Sequence, residues 1–136
     1  FQTDGEIEVS PIVLPAGRVA ELKSHLMLVY TGIARTAADV AASYVPGIES
    51  RRRQLRLMGQ MVDEAIHILT GGVNLIAFGE LLHEAWLAKR SLSPVVSNGE
   101  VDELYSAALD AGAVGGKLTG AGGGGFLLLF SPPDRR

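Results

Sequence analysis

The stretch from Gly115 to Gly125 is the part of this sequence best suited to chemistry, because seven of its eleven residues are glycine. Glycine is tolerated at this density only where the backbone needs positive φ, or where something must approach it without a Cβ in the way. Successive backbone N–H groups in such a loop make a concave site for phosphate or another anion. Lys117 would add a positive charge and Thr119 a hydroxyl. The pattern favours a phosphate-binding loop over its alternative, a flexible linker, because five apolar residues follow at once.

Two familiar phosphate-binding patterns do not account for these glycines. A P-loop ends in Gly-Lys-Ser/Thr, whereas the Gly116-Lys117 pair is followed by leucine and the required earlier glycine is replaced by alanine. Residues 120–125 fit the dinucleotide string Gly-x-Gly-x-x-Gly, but that fingerprint opens a helix, and the residues that follow here are typical of a strand. The loop therefore needs another explanation.

Arg35 is the second candidate for binding an anion. It follows the turn at Thr31-Gly32 and precedes an alanine-rich segment from Thr36 to Tyr44. A helix that begins there would direct its first N–H groups and Arg35 toward the same side, which suits an anionic substrate. A solvated surface arginine is the alternative.

Other polar clusters are weaker candidates. The run Arg51–Arg53 with Arg56 predicts a solvated helix face rather than a phosphate patch. Trp86 and Lys89 are three residues apart and share a helix face, where they could contact a sugar phosphate. A core tryptophan and a surface lysine are the expected outcome.

No metal site is predicted. His83-Glu84 begins like a helical zinc motif, but Leu87 occupies the position of the second histidine, and the other two histidines are isolated. We also assign no catalytic base or nucleophile within these 136 residues.

The elements that must position these residues follow from hydrophobic periodicity. Alternation over Gly5–Leu14 predicts a half-buried strand with Ile7, Val9 and Val13 inward, and periodic apolar residues predict three longer helices, the last opened by a Ser97-x-x-Glu100 capping box. The remaining predictions are a helix over Ala16–Ser24 and strands over Leu26–Tyr30, Lys117–Thr119 and Phe126–Phe130. Strands separated from a block of helices favour an α+β fold with an antiparallel sheet and helices on one face.

Composition indicates one ordinary globular domain, with 47% hydrophobic and 20% charged residues. A net charge of −3 gives no electrostatic reason to expect nucleic acid or an anionic membrane as a partner. The absence of cysteine suits a cytoplasmic protein, and no apolar run approaches the length of a membrane span. Because the chain begins with Phe1, we expect a processed product or a piece of a longer polypeptide.

Three segments, taken together, resemble the GHMP small-molecule kinases. Lys117–Gly125 is similar to the third conserved motif of that superfamily, and Leu28–Arg35 is similar to its strand followed by Thr-x-x-x-Arg. Leu81–Arg90 resembles a helix of the sugar-kinase branch that phosphorylates D-glycero-D-manno-heptose 7-phosphate for nucleotide-activated heptose synthesis. The resemblance runs through nearly the whole chain, in order.

This resemblance implies that residues 1–136 are the ferredoxin-like C-terminal domain of a kinase that uses ATP and Mg²⁺. The family's serine- and glycine-rich ATP loop, its acidic base and its metal ligands belong to an N-terminal domain, and no Pro-x-x-x-Gly-x-Gly-Ser-Ser stretch occurs here. The chain alone is therefore expected to be inactive, with ATP, a sugar phosphate and the N-terminal domain as its partners. Expected substrate contacts are Arg35 and Thr31; the expected phosphate loop comprises Lys117, Thr119, Gly120, Ala121, Gly122, Gly123, Gly124 and Gly125. Mevalonate kinase, a galactokinase-like enzyme and a non-catalytic ligand-binding module are the alternatives.

Overall fold

Helices dominate the structure, a computed structural model that describes residues 5–135. In chain order these residues form α1 (Ala16–His25), β1 (Leu26–Tyr30), α2 (Ala37–Ala42), a 3₁₀ helix (Val45–Arg51), α3 (Arg52–Thr70), α4 (Ile76–Arg90), α5 (Gly99–Asp110), β2 (Gly115–Leu118), β3 (Phe126–Phe130) and a short 3₁₀ helix (Pro133–Arg135). No helix in this part of the chain is long and apolar enough to cross a membrane.

The three strands form one antiparallel sheet in the order β1-β3-β2. β3 lies in the centre, where Leu128 pairs with Leu28 on one side and with Lys117 on the other. Apolar residues suit this central position because β3 is flanked by strands on both edges. The predicted α+β fold with an antiparallel sheet is confirmed, and β2 and β3 form the hairpin that holds the glycines at its tip.

The core lies where the sheet meets the helices. Trp86 from α4 and Leu118 and Leu127 from the hairpin are almost completely inaccessible to solvent. They pack with residues of α2 and α5 and of the segment between α4 and α5, namely Val40, Val96, Val101 and Tyr105. Truncating a buried aromatic such as Trp86 to alanine should cost about 3–5 kcal/mol of folding free energy. The predicted core tryptophan is confirmed.

Helix α4 approaches β2 closely because Gly115 has no side chain. A Cβ at Gly115 would overlap the carbonyl oxygen of Gly79 and would come within 3.0 Å of His83. His83 lies beside α5 instead of forming a metal site, with its Nδ1 2.7 Å from the hydroxyl of Tyr105. This close packing places the last turn of α4 beside the tip of the hairpin.

The strand predicted over Gly5–Leu14 is wrong. Residues 5–15 have no regular secondary structure, and Val9 and Val13 are 86% and 84% exposed. An alternating sequence forms a stable strand only when a neighbouring strand accepts its hydrogen bonds and buries its apolar face. The described sheet pairs only β1, β3 and β2, so this segment has no such neighbour among residues 5–135.

Two predicted helix boundaries also shift. The segment Thr36–Tyr44 forms only the six-residue α2, and the chain then continues as a 3₁₀ helix that is kinked at Gly47. At α5 the N-cap is Asn98 rather than Ser97, because the side chain of Asn98 accepts the N–H of Val101 at 3.1 Å. The Ser97 hydroxyl donates to Asp102 at 2.6 Å instead, so the predicted capping box is wrong.

Candidate functional site

The glycine loop, residues 119–125, is held firmly at the tip of the β2–β3 hairpin. The Gly123 N–H donates to Val96 and the Gly125 N–H donates to Ile33, both at 2.8 Å. The segments that contain these acceptors lie before α5 and after β1, far apart in sequence. The flexible-linker alternative therefore does not describe this loop.

Gly123 shows why the loop needs glycine. Its φ is +76°, a conformation that side chains strain by about 1–2 kcal/mol. A Cβ there would lie 3.2 Å from Val40, 3.3 Å from the Val95 carbonyl and 3.4 Å from Arg35. Both the backbone conformation and the available space exclude larger residues without rearrangement.

Arg35 and Thr31, which the sequence analysis expects to contact the substrate, lie against this loop. The aliphatic stem of Arg35 faces Gly123, and its side chain is exposed. Within residues 5–135 the guanidinium forms no ion pair. Thr31 donates to the carbonyl oxygen of Gly125 with both its N–H and its hydroxyl, each at 2.9 Å. Arg35 is thus an accessible cation at the loop, whereas Thr31 uses its hydroxyl to hold the loop.

Lys117 and Thr119 lie on the strand side of the loop. Lys117 is half-buried on β2 and lines an apolar groove of about 400 Å³ beside α3 and α4. The Thr119 hydroxyl and N–H both donate to the carbonyl oxygen of Phe126, at 3.1 and 2.9 Å. These bonds close the hairpin, so the Thr119 hydroxyl is already engaged.

Some N–H groups of the loop donate within the protein and others have no acceptor among the described residues. Those of Thr119, Gly123 and Gly125 donate within the protein. Among the described residues, the N–H groups of Ala121 and Gly124 have no acceptor. The sequence led us to expect a continuous row of free N–H groups. Among the described residues, Gly120 and Ala121 keep two such donors in succession, while the bonded N–H groups of the loop hold its glycine-rich backbone in order.

Two residues that the sequence analysis did not assign to the loop hold its carbonyl oxygens. The ammonium of Lys89 donates to Gly120, and the side-chain amide of Asn98 donates to Gly123 at 3.0 Å. Lys89 is only 8% exposed, so the prediction of a surface lysine is wrong. A usable signal was its spacing, since Lys89 follows Ala85 by four residues on the apolar stripe of α4. The sequence carried no signal for the bond between Asn98 and Gly123, because a residue type that suits a helix N-cap does not indicate a second hydrogen-bond partner.

Positive charge is concentrated near the loop. Burial, and then the nearby charge of Lys117, lower the pKa of Lys89 from 10.5 to about 8. Lys89 forms no ion pair within residues 5–135. Two lysines with Arg35 beside unbonded N–H groups favour an anion as the ligand. By contrast, the basic run on α3 is largely a solvated face, as predicted, with Arg52, Arg53 and Arg56 exposed.

The described residues hold no set of metal ligands. No group of three or more His, Asp or Glu side chains in this part of the chain could hold a metal ion. The sequence resemblance places the Mg²⁺ ligands of the family in an N-terminal domain.

Comparisons with known proteins agree with this fold. Residues 73–136 match the protein family described as GHMP kinases C terminal. The whole chain is 28% identical to a D-glycero-alpha-D-manno-heptose 7-phosphate kinase of Campylobacter jejuni and 30% identical to a mevalonate kinase of Pyrococcus abyssi, spanning 40% of the length of each. The crystal structure of L. major mevalonate kinase in complex with R-mevalonate superimposes with a TM-score of 0.70 and 26% identity, covering 82% of this chain and 35% of that one.

Proposed function

We propose, on the premise that this chain belongs to the GHMP kinases through its C-terminal family region, that it forms the C-terminal domain of an ATP-dependent sugar kinase. The domain would span residues 1–136. Its acceptor would be a hydroxyl of D-glycero-D-manno-heptose 7-phosphate. Because the chain spans 40% of the heptose kinase it matches, the remaining catalytic parts would come from the rest of the polypeptide.

The observation that carries this proposal is the meeting of Arg35 with the glycine loop. The aliphatic stem of the exposed Arg35 lies against Gly123, next to the unbonded N–H of Gly124, although the two segments are far apart in the sequence. Guanidinium and backbone N–H groups are the usual protein ligands of phosphate oxygens. Their convergence supports a site for an anionic substrate and the transferred phosphoryl group.

Phosphoryl transfer depends mainly on positioning and on neutralising charge that spreads over the phosphoryl oxygens. ATP, when bound, would supply the γ-phosphoryl group. In this chain the loop N–H groups would face that group, and Arg35 would bind the substrate. Rigid donors help most where charge develops during transfer, because they need no reorganisation. The loop's many internal bonds provide that rigidity.

Among the described residues, no group of three or more His, Asp or Glu side chains could hold Mg²⁺, and the sequence assigns no catalytic base. We propose that the N-terminal part of the full-length protein supplies both. The chain alone is then expected to lack activity.

Mevalonate kinase is the second candidate, because the mevalonate kinase of Pyrococcus abyssi is 30% identical over the whole chain. Mevalonate and heptose 7-phosphate differ in charged group. The first carries a carboxylate and the second a phosphate, and Arg35 can pair with either. An acceptor panel therefore separates the candidates better than the geometry of the loop does.

The test is an ATP-dependent assay of the full-length protein with heptose 7-phosphate, mevalonate, galactose and fucose. The proposal expects ADP release with heptose 7-phosphate at a kcat/KM at least about 100-fold above galactose and fucose, since a site built for a phosphate leaves its cations unpaired with neutral sugars. The kcat/KM with heptose 7-phosphate should also exceed that with mevalonate. Preference for mevalonate would replace the heptose assignment. Saturable ATP binding without turnover of any acceptor would favour the non-catalytic module.

A further inference from the structure

Lys89 is a buried cation in an unusual setting. It lies in the last turn of α4, three residues after the fully buried Trp86, and only 8% of it is exposed. Its ammonium donates to the carbonyl oxygen of Gly120, the second residue of the glycine loop. The charged neighbour that acts on it is Lys117 on β2, and no carboxylate forms an ion pair with it within residues 5–135.

A buried lysine without an ion-pair partner lowers the free energy of unfolding. A buried charge without an opposite charge loses its hydration, and the second lysine adds repulsion. An apolar side chain of similar length, such as methionine, would fill the same space without these costs. Stability of the core alone therefore does not explain a lysine at this position, and costly charges of this kind are concentrated at functional sites.

The hydrogen bond from Lys89 to the Gly120 carbonyl fixes the orientation of the peptide group that joins Gly120 to Ala121. In a trans peptide the C=O of one residue and the N–H of the following residue point in opposite directions. The bond from Lys89 draws the Gly120 oxygen toward α4, so the Ala121 N–H points away from α4. That N–H has no acceptor among the described residues. Lys89 thus determines where one unbonded donor of the loop points.

We propose that Lys89 is a positioning residue that holds the Gly120 carbonyl and so directs the Ala121 N–H at the transferred phosphoryl group. This inference rests on the proposed kinase function and adds a residue on α4 to the site. Lys89 acts through the loop and does not touch the substrate. Removing it should impair turnover while leaving the core intact.

The test compares Lys89→Met, Lys89→Arg and Arg90→Met in the full-length protein. Lys89→Met should lower kcat about 10- to 100-fold, because one oriented donor is misdirected, with a smaller change in the acceptor KM. Its melting temperature should equal or exceed that of the wild type, since a buried charge has been removed. Lys89→Arg keeps a cationic donor and should recover part of the lost kcat.

Arg90→Met is the matched control on the same helix. Arg90 pairs with Asp102 at 2.8 Å and lies over the Trp86 ring, away from the Gly120 carbonyl. Its loss should affect the melting temperature slightly and leave kcat unchanged. An equal fall in kcat for both variants would mean that any change at the end of α4 impairs the enzyme, and the proposal would be wrong.

The outcomes separate this inference from the kinase proposal. No turnover by the wild-type protein would reject the proposed function, and the role of Lys89 with it. Turnover by the wild type with kcat of Lys89→Met within about twofold of it would reject the role of Lys89 alone. If Lys89→Met does not fold, Lys89→Leu, which also lacks a donor, takes its place with the same expected loss; if neither folds, Lys89 is structural and the inference is overturned.

Discussion

The side chain of Asn98 joins α5 to the glycine loop. Its amide nitrogen donates to the carbonyl oxygen of Gly123 at 3.0 Å, while its Oδ1 accepts the N–H of Val101 at 3.1 Å. One side chain therefore begins a helix and holds the loop. Because the two bonds use different atoms, substitutions can remove one and keep the other.

Asn98→Asp should separate these two roles. Aspartate is as good an N-cap as asparagine, so the loss of stability should be limited to the Gly123 bond, about 1 kcal/mol. The variant lacks the donor to Gly123, and we expect kcat/KM to fall about tenfold or more, as for other misplaced loops. Asn98→Ala loses the cap as well and should cost about 1 kcal/mol of stability in addition. Equal kcat/KM for Asn98→Asp and the wild type would show that the Gly123 bond is dispensable.

Gly123→Ala should impair activity much more than Gly72→Ala. Both glycines have similar φ values, +76° and +71°, so both substitutions should cost about 1–2 kcal/mol in backbone strain. At Gly72 nothing lies within 4 Å of the new Cβ, whereas at Gly123 it meets Val40, Val95 and Arg35. We expect a loss of about 100-fold in kcat/KM for Gly123→Ala only. Steady-state kinetics and melting curves of the two variants provide the check, and a similar kcat/KM for both would contradict the loop assignment.

Thr31→Val should loosen the loop without releasing it. The variant removes the hydroxyl that donates to the Gly125 carbonyl, while the backbone N–H of residue 31 still donates to the same oxygen. We expect a loss of about 1 kcal/mol in the free energy of unfolding, measured by denaturant titration. Thr31→Ser keeps the hydroxyl and serves as the control. The role of the hydroxyl would be refuted if serine and valine reduced stability equally.

Stability should rise with pH above pH 8 because of Lys89. Its pKa falls from 10.5 in the unfolded chain to about 8 in the folded protein, so between these values the unfolded state binds more protons. The charge therefore destabilises the folded state below pH 8, and that cost is relieved as pH rises. Burial raises the pKa of Tyr105 from 10.0 to about 12, which lowers stability again above pH 10.

The measurement that checks this is denaturant unfolding of wild type and Lys89→Met between about pH 7.5 and pH 9.5, a window below the titration of Tyr105. The wild type should gain stability relative to the variant by at most about 1.4 kcal/mol per pH unit. Parallel curves for the two proteins would mean that Lys89 is not buried as a charged group.

The sequence predicted what depends on local pattern. The apolar run predicted β3 to the residue, hydrophobic periodicity predicted helices where α3 and α4 form, and the glycines indicated the loop between the last two strands. The contacts that hold the loop were harder to predict from the sequence, since Lys89 and Asn98 reach the loop from other elements. The strand prediction for Gly5–Leu14 was wrong for a related reason: alternating apolar residues form a strand only if another strand lies beside them.

The anchors of the glycine loop also bear on the order of folding. Thr31 lies 94 residues from Gly125, and Lys89 and Asn98 lie 31 and 25 residues from their partners. Glycine loses more conformational entropy on ordering than any other residue, and contacts between distant residues carry an added cost of loop closure. The loop should therefore become ordered late, after β1, α4 and the start of α5 have assembled. If the proposed function holds, binding of a phosphate group at the loop would require that this domain has already folded.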